Sequence, residues 1–568
     1  MNKKIVKKYF ISKKIILFTL SLLILLGTVI GSVTPYLFGQ VVDLIVSGNI
    51  SGIFSIMLGM LFLEILGAIL SALENYYGNK ITLEISNEIK KDLLNRIIHM
   101  DMKQLDTYSK GELINRVEGD SSTVSGAYIE FITGILQIAI SIIVALYFAI
   151  LLSKELTIAF IIFFPILYGG TMILRKKYQY AIEKLKLFSD KFLGNMNEIF
   201  HNFEGLKSNV LENLVQKKIQ SLFNENEKLS KRYYFVQEQM NFNQNVINAI
   251  FDCFMLGYAG ILIFKGRLSI GNYVSFNQYV SILTQSAAQI MSVAVSLTAC
   301  KISIERMEHI LHEPIENLSL ETKGSIEIIK KIEFEDVDFG YSDQLILKKI
   351  KLSIDRPGIY SIVGKNGSGK STLIKLILRL YRQEDGKIYI NDRSIETLNI
   401  AMLRKQISYI AKDTFLLNET IRYNITLGKE VDEKELDEIC EKVDLTDYIE
   451  SFPDKYEQII GENGFDLSSG TKQKIAIARA LIQETSLWLC DEITSDLDGN
   501  AESKIGAILS EIARYKIIIL ISHKLSMIEK SDIIFLMNCG KIVESGTNEE
   551  LFKKSKLYKQ IFDSSEMI

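Results

Sequence analysis

Several things are scarce in this chain of 568 residues, and each scarcity excludes a class of protein. Its five cysteines, Cys253, Cys300, Cys440, Cys490 and Cys539, are far apart and include no C-x-x-C pair. No disulfide framework or thiolate zinc motif fits that pattern, so free, mostly buried thiols facing a reducing compartment are expected. The five histidines form no cluster with metal-ligand spacing. Net charge is small as well: 65 Lys and Arg against 68 Asp and Glu gives −3, and no nucleic-acid partner is expected. Above all, charge is missing locally. Ile15 to Val42 contains no charged residue.

About 20 apolar residues suffice for a helix to cross a bilayer, and Ile15–Val42 is too long for a signal-peptide core. Further apolar runs at Ile53–Leu73, Phe131–Ser153, Leu156–Leu174, Phe242–Phe264 and Val274–Cys300 bring the count to about six spans. Lys3, Lys4, Lys7, Lys8, Lys13 and Lys14 precede the first span and place the N-terminus in the cytoplasm. Lys265 and Arg267 fall on the outer side and run against that rule. The charged segments Asn79–Ser125 and Arg175–Glu238 have helical periodicity, so the spans are expected to continue into the cytoplasm as helices, with tips near Gly111–Asp120 and Phe200–Asn209. Glu64 and Asp252 interrupt apolar spans. Ionisable residues there face a cavity or a helix partner, which makes both candidate cavity residues.

The second half reads as a soluble α/β domain. "HEPIENLSLETKGS" breaks the hydrophobic pattern as a linker, dividing the chain into a membrane domain at 1–311, a linker at 312–328 and a globular domain at 329–568. In "IYSIVGKNGSGKSTLIKLIL", a short apolar strand runs into a Gly-rich loop and then an apolar helix, with Gly364–Ser371 fitting G-x-x-x-x-G-K-[ST]. Gly364, Asn366, Gly367, Ser368 and Gly369 form a loop whose backbone N–H groups can surround phosphates. Lys370 can reach the terminal phosphates, Ser371 can ligate Mg²⁺, and Thr372 opens the helix beside them. "SLWLCDEITSDLD" ends a strand in Asp491 and Glu492. The first acid is placed to hold Mg²⁺ and the second to polarise an attacking water. "IIILISHKLS" sets His523 at the end of another strand, within reach of a γ-phosphate. The expected fold is therefore a helical transmembrane domain with long cytoplasmic extensions, followed by a C-terminal α/β P-loop ATPase domain.

On these motifs the chain resembles an ABC transporter half-molecule of the exporter type over essentially its whole length. The resemblance implies ATP and Mg²⁺ as cofactors, a multi-pass protein of the cell membrane with a cytoplasmic nucleotide domain, and a second half-transporter as partner. It matches Tyr341 to the aromatic that stacks on adenine, although a core aromatic like Phe334 is the plainer alternative. It assigns Lys370, Ser371, Asp491, Glu492 and His523 to phosphate, magnesium and hydrolysis positions. Ser495–Asp498 matches a loop between the two nucleotide domains, which sandwich two ATPs head to tail.

Two positions depart from the family. The signature, usually Leu-Ser-Gly-Gly-Gln, reads Leu467, Ser468, Ser469, Gly470, Thr471. Ser468 can still offer a hydroxyl to the partner's ATP. Ser469 adds a side chain where glycine has conformational freedom, and Thr471 is short and β-branched, so a weakened signature is expected. Lys412 stands where the family has a glutamine that contacts magnesium. A lysine cannot accept a hydrogen bond, so it should either contact a phosphate or turn to solvent. Because each site combines one chain's P-loop with the other's signature, a heterodimer is favoured, with a homodimer as the alternative. The expected activity is ATP-driven export of a small molecule, lipid or peptide by alternating access. An importer on the same fold and a nucleotide-gated regulator remain the alternatives. No peptidase-like extension precedes the first span, so leader cleavage by this chain is not expected. Richness in Ile, Lys and Asn fits an AT-rich bacterial genome, where the membrane would be the cytoplasmic one.

Overall fold

A computed structural model describes residue 9 and residues 13–316, 328–342, 344–461, 467–495 and 497–563. The expected linker at 312–328 falls largely outside these residues, as does Asp496 of the expected inter-domain loop. The chain forms two compact units. The first holds Met1–Leu93 and Ile114–His309, and the second holds Leu94–Leu113 and Ile310–Ile568.

The first unit is built from long helices: α1 (Lys14–Ser47), α2 (Ile50–Ile98), α5 (Ser121–Leu152), α6 (Lys154–His201), α8 (Glu212–Phe264) and α9 (Ile270–His312). Three short helices interrupt them in sequence, α3 (Met102–Leu105) and α4 (Lys110–Asn115) after α2, and α7 (Phe203–Ser208) after α6; α3 belongs to the second unit. Among the described residues, five of the long helices carry a stretch long and apolar enough to cross a membrane. The expected span Leu156–Leu174 lies on α6, where several side chains are outside the described set. Turns are tight. Gly48 ends α1 with φ +75, a left-handed cap that suits glycine, and Ser153 alone joins α5 to α6 while its hydroxyl accepts from the Leu156 N–H.

At the outer ends of α1 and α9 the backbones nearly touch. A Cβ on Gly271 would lie 2.0 Å from the Gly39 carbonyl oxygen, so only glycine fits. Asp43 bridges the crossing, accepting from the Ser269 hydroxyl at 2.6 Å and the Gly271 N–H at 2.8 Å. Lower down, Ser275 donates to the Pro35 carbonyl and Tyr279 to the Ser32 carbonyl.

The expected tips are met once and corrected once. Asn202 and α7 break the helix within Phe200–Asn209. The first break lies earlier than Gly111–Asp120, which is helical, closing with a π-helical stretch at Arg116–Asp120. The chain turns instead around α3. Asp101 N–H bonds to the Pro314 carbonyl and Glu316 N–H to the His99 carbonyl, a short backbone pairing that no side-chain pattern announces.

In the second unit, strands β1 (Ile332–Gly340), β2 (Leu345–Ile354), β4 (Asp385–Ile390) and β5 (Arg393–Ser394) form an antiparallel sheet in the order β2-β1-β4-β5. A six-stranded sheet runs β10-β9-β3-β8-β7-β6, using β3 (Gly358–Gly364), β6 (Ile407–Ile410), β7 (Leu487–Asp491), β8 (Ile517–Ile521), β9 (Ile533–Asn538) and β10 (Lys541–Gly546). All its pairings are parallel except the edge pair β9–β10. Every residue of β3 and β8 is buried, the unbroken apolar pattern of strands covered on both faces. Separate apolar clusters cover the two faces.

Candidate functional site

Parallel strands deliver their loops to one edge, where ligands of α/β sheets bind. At that edge β3 leads through Lys365–Gly369 into α10 (Lys370–Ile377). Gly367 and Gly369 take φ +78 and +101. A Cβ on Gly364 would meet the Met537 carbonyl at 2.4 Å, whereas one on Gly367 would meet nothing within 4 Å, so the loop is braced on one side and open on the other. Ser368 Oγ is buried without a partner, an expensive state unless a ligand satisfies it. Lys370 is 7% exposed and donates to the Gly364 and Lys365 carbonyls at 2.8 and 3.2 Å. Burial lowers its pKa, and the charges of Glu492 and Asp491 oppose that shift. An orphan hydroxyl, a braced glycine loop and a desolvated cation form a donor set that fits a polyphosphate.

The acids come from β7, which pairs with β8 so that Asp491 lies opposite Ile521. Burial raises the Asp491 pKa, while a hydrogen bond from Ser371 works to lower it. A half-buried carboxylate bonded to the P-loop serine supplies the kind of oxygen pair that would hold a Mg²⁺ ion. Glu492 follows with φ +54, an uncommon backbone for a side-chain-bearing residue, and its N–H donates to the Ile521 carbonyl at 2.9 Å. Its Oε1 lies 3.2 Å from His523 Nε2 and its Oε2 accepts from Lys412 Nζ at 2.8 Å. Burial pushes the Glu492 pKa up, but the bond and charge of Lys412, with help from His523 and Lys370, bring it below the ordinary value. Burial and the Lys370 charge hold His523 below its usual pKa. Both causes favour the neutral imidazole.

Lys412 is more than half exposed, as one of the two expected courses has it, and it also finds a partner that the sequence did not suggest. It contacts Glu492, a partner that could not be named before the two loops were seen side by side. Tyr341 is 38% exposed, unlike Phe334 at 2%, and its hydroxyl lies 3.4 Å from Thr372 Oγ1. Sequence reading missed what stands behind it. Tyr381 meets Tyr341 edge to face at 5.0 Å, Lys375 Nζ sits over both rings, and the Tyr381 hydroxyl donates to Asp106 of the first cytoplasmic tip at 2.6 Å. Met102 of that tip packs on the sheet's apolar cluster, and Arg404 forks onto Glu316 at 2.7 and 2.8 Å.

In the signature, Ser468 caps α11 (Ser469–Ile482), accepting from the Thr471 N–H at 3.2 Å, and its hydroxyl also pairs with Thr471 Oγ1 at 2.8 Å. Ser469 is the first helical residue, so the loss of glycine freedom expected there causes no backbone strain. Ser468 and Ser469 are exposed, and Gly470 is half-buried. In the first unit, Glu64 lines a cleft of about 420 Å³ walled by apolar residues of α1 and α2, including Phe38, Phe54 and Leu61. Asp252 is exposed on α8.

Together these features define a membrane-spanning P-loop ATPase. Comparison with known proteins narrows it. The profile described as "ABC transporter transmembrane region" matches residues 17–287 and the one described as "ABC transporter" matches 347–495. A "Putative export ATP-binding/permease protein" of Rickettsia felis is 31% identical, covering 97% of this chain and 96% of its own. A "Multidrug resistance-like ATP-binding protein MdlB" of Buchnera aphidicola is 30% identical, covering 89% and 87%. The solved structure of a bacterial Atm1-family ABC exporter with ATP bound has the same fold, with TM-score 0.81 at 22% identity over 97% of this chain and 99% of that one. The chain belongs to the ABC transporter family, as an exporter-type half-transporter that couples ATP hydrolysis to transport. It is a multi-pass cell-membrane protein with its ATPase domain in the cytoplasm.

Proposed function

We propose that this chain is one half of a heterodimeric exporter of amphipathic solutes, a small molecule, lipid or peptide, and that it carries the proficient P-loop of the pair. The observation behind this reading is the contrast between two parts of one domain. The P-loop, Asp491, Glu492 and His523 converge with the chemistry that hydrolysis needs. The signature, which acts on the other chain's ATP, has its Ser468 hydroxyl engaged by Thr471. A partner with an intact signature would complete this chain's site.

In that site Lys370, Ser368 and the loop N–H groups hold the phosphates, and Tyr341 stacks on the adenine. Mg²⁺, held by Ser371 and Asp491, would neutralise charge on the β- and γ-phosphate oxygens. Glu492 orients and polarises water, and His523 donates to the γ-phosphate. The first tip belongs to the same compact unit as the nucleotide domain, so movement of the domain moves α3 with it. Glu64, a lone acid in an apolar cleft, favours cationic amphiphiles among the solutes.

The test is magnesium-dependent ATPase activity of this chain alone in lipid nanodiscs, with Glu492→Gln as control. Near-zero turnover with ATP binding retained is expected. Robust Glu492-dependent turnover would reject the heterodimer. Turnover that Glu492→Gln leaves intact would reject the assignment of Glu492. Uptake into inside-out vesicles is the expected direction of transport, and efflux from them would show an importer.

A further inference from the structure

Glu492 has an unusually crowded carboxylate. Its backbone takes φ +54, and its N–H donates to the Ile521 carbonyl at the end of β8. Both oxygens are engaged, Oε1 by His523 and Oε2 by Lys412. A carboxylate offers about four lone-pair directions, and each partner held at 2.8–3.2 Å removes one from the arc open to a water. Position 412 also differs chemically from the family's glutamine. Glutamine both donates and accepts, and it is uncharged. Lysine only donates, and it carries a charge that an acid attracts. The change therefore redirects this position onto the acid that hydrolysis depends on.

We propose that Lys412 is a positioning residue that restrains Glu492, holding its carboxylate away from the attacking water and setting this site's turnover below what its other residues would support. This deepens, and rests on, the reading of Glu492 as the hydrolytic acid. The restraint is graded. The Lys412 side chain is 55% exposed while that of Glu492 is 22% exposed, so the pair is half-solvated and its strength is that of a surface ion pair. Such a contact slows a step without abolishing it, and it is broken easily when the loop around Lys412 moves.

The experiment compares wild type, Lys412→Gln, Lys412→Met and Lys412→Arg as full-length chains in nanodiscs. Single-turnover hydrolysis of radiolabelled ATP with protein in excess resolves even slow rates. Equilibrium ATP binding is measured in parallel, in EDTA and in Mg²⁺. Removing the cation, by Gln or by Met, should raise the hydrolysis rate about fivefold, the factor that corresponds to a pair of roughly 1 kcal/mol. Lys412→Arg, which keeps the cation, should be accelerated less than either. ATP affinity in EDTA should change less than about twofold in all three, the factor below which no direct phosphate contact has been lost. Acceleration by Gln but not by Met would overturn the proposal, because glutamine's own chemistry would then be the cause. So would a large loss of ATP affinity in Lys412→Met, which would make Lys412 a phosphate ligand. Glu492→Gln, run alongside, separates the failures: if it hydrolyses like wild type, the underlying reading falls and not only the role of Lys412.

Discussion

Isoleucine is used in opposite ways by the two units. In β8, Ile517, Ile518, Ile519 and Ile521 are at most 1% exposed, sealed between two layers of side chains. In α2, Ile65 and Ile69 are 53% and 52% exposed, and none of the helix's most apolar stretch is buried within the protein. The residue obeys one rule in both places, which is to leave water. In the nucleotide unit the protein provides the apolar surroundings, and in the membrane unit the lipid or a partner chain does. Burial therefore locates the core of one unit and says little about the other. Specific packing between spans must come from close backbone approach and polar ties, since apolar contact brings no advantage over lipid.

The strongest test of that difference is the crossing of α1 and α9. A Cβ on Gly271 collides with backbone, and one on Gly67 in α2 meets nothing within 4 Å. Gly271→Ala should lose most of its monodisperse, folded yield after detergent extraction, while Gly67→Ala should match wild type. Overpacking of this kind costs about 1–3 kcal/mol where neighbours can yield, and more where backbone cannot. Equal yields from the two variants would show that the membrane unit tolerates loose packing as lipid-facing surfaces do.

Sequence and structure part company along the same line. That Lys370, Asp491, Glu492 and His523 come to one edge of the sheet was legible because each stands at a fixed place near a strand end: Lys370 after the glycines, Asp491 closing β7, Glu492 after it, His523 after β8. Five of the six expected spans were legible from length and lack of charge alone. What escaped was pairing at a distance. Nothing near Lys412 in the chain points to Glu492, 80 positions on. The place of the first tip depended on backbone bonds between 99–101 and 314–316, which carry no side-chain signature. Tyr381, within an ordinary amphipathic stretch, gave no sign of its contact with Asp106.

Within the nucleotide unit, a second comparison sets the P-loop against the signature. The Thr471 N–H donates to Ser468 Oγ, and Thr471 Oγ1, 2.8 Å away, is the group that can compete with a phosphate for the Ser468 hydroxyl. Restoring the family residues in Ser469→Gly/Thr471→Gln removes the rival and the extra side chain. Turnover of the chain studied alone should rise about tenfold, the gain from one charge-assisted hydrogen bond of roughly 1.4 kcal/mol. ATP affinity at the P-loop should stay unchanged. No gain in turnover would mean that the altered signature is already adequate, and the case for an unlike partner would lose its main support.

The smallest effect is expected where the nucleotide domain meets the tip within its own unit. Tyr381 touches Tyr341 with its ring and Asp106 with its hydroxyl, so it links Tyr341, the residue proposed to stack on adenine, to the end of α3. Tyr381→Phe keeps the ring contact and deletes only the bond to Asp106. Asp106 is exposed and can turn to water, so the loss should be an ordinary hydrogen bond of about 1 kcal/mol without a stranded charge. Backbone amides of 99–109 should then exchange hydrogen about fivefold faster, the equivalent of that energy. The P-loop amides should keep their wild-type rates, because the ring stays in place. Unchanged exchange at 99–109 would show that Met102 packing and the backbone pairing at 314–316 hold the tip by themselves. Coupling between adenine and tip would then run through the sheet's apolar cluster and not through Tyr381.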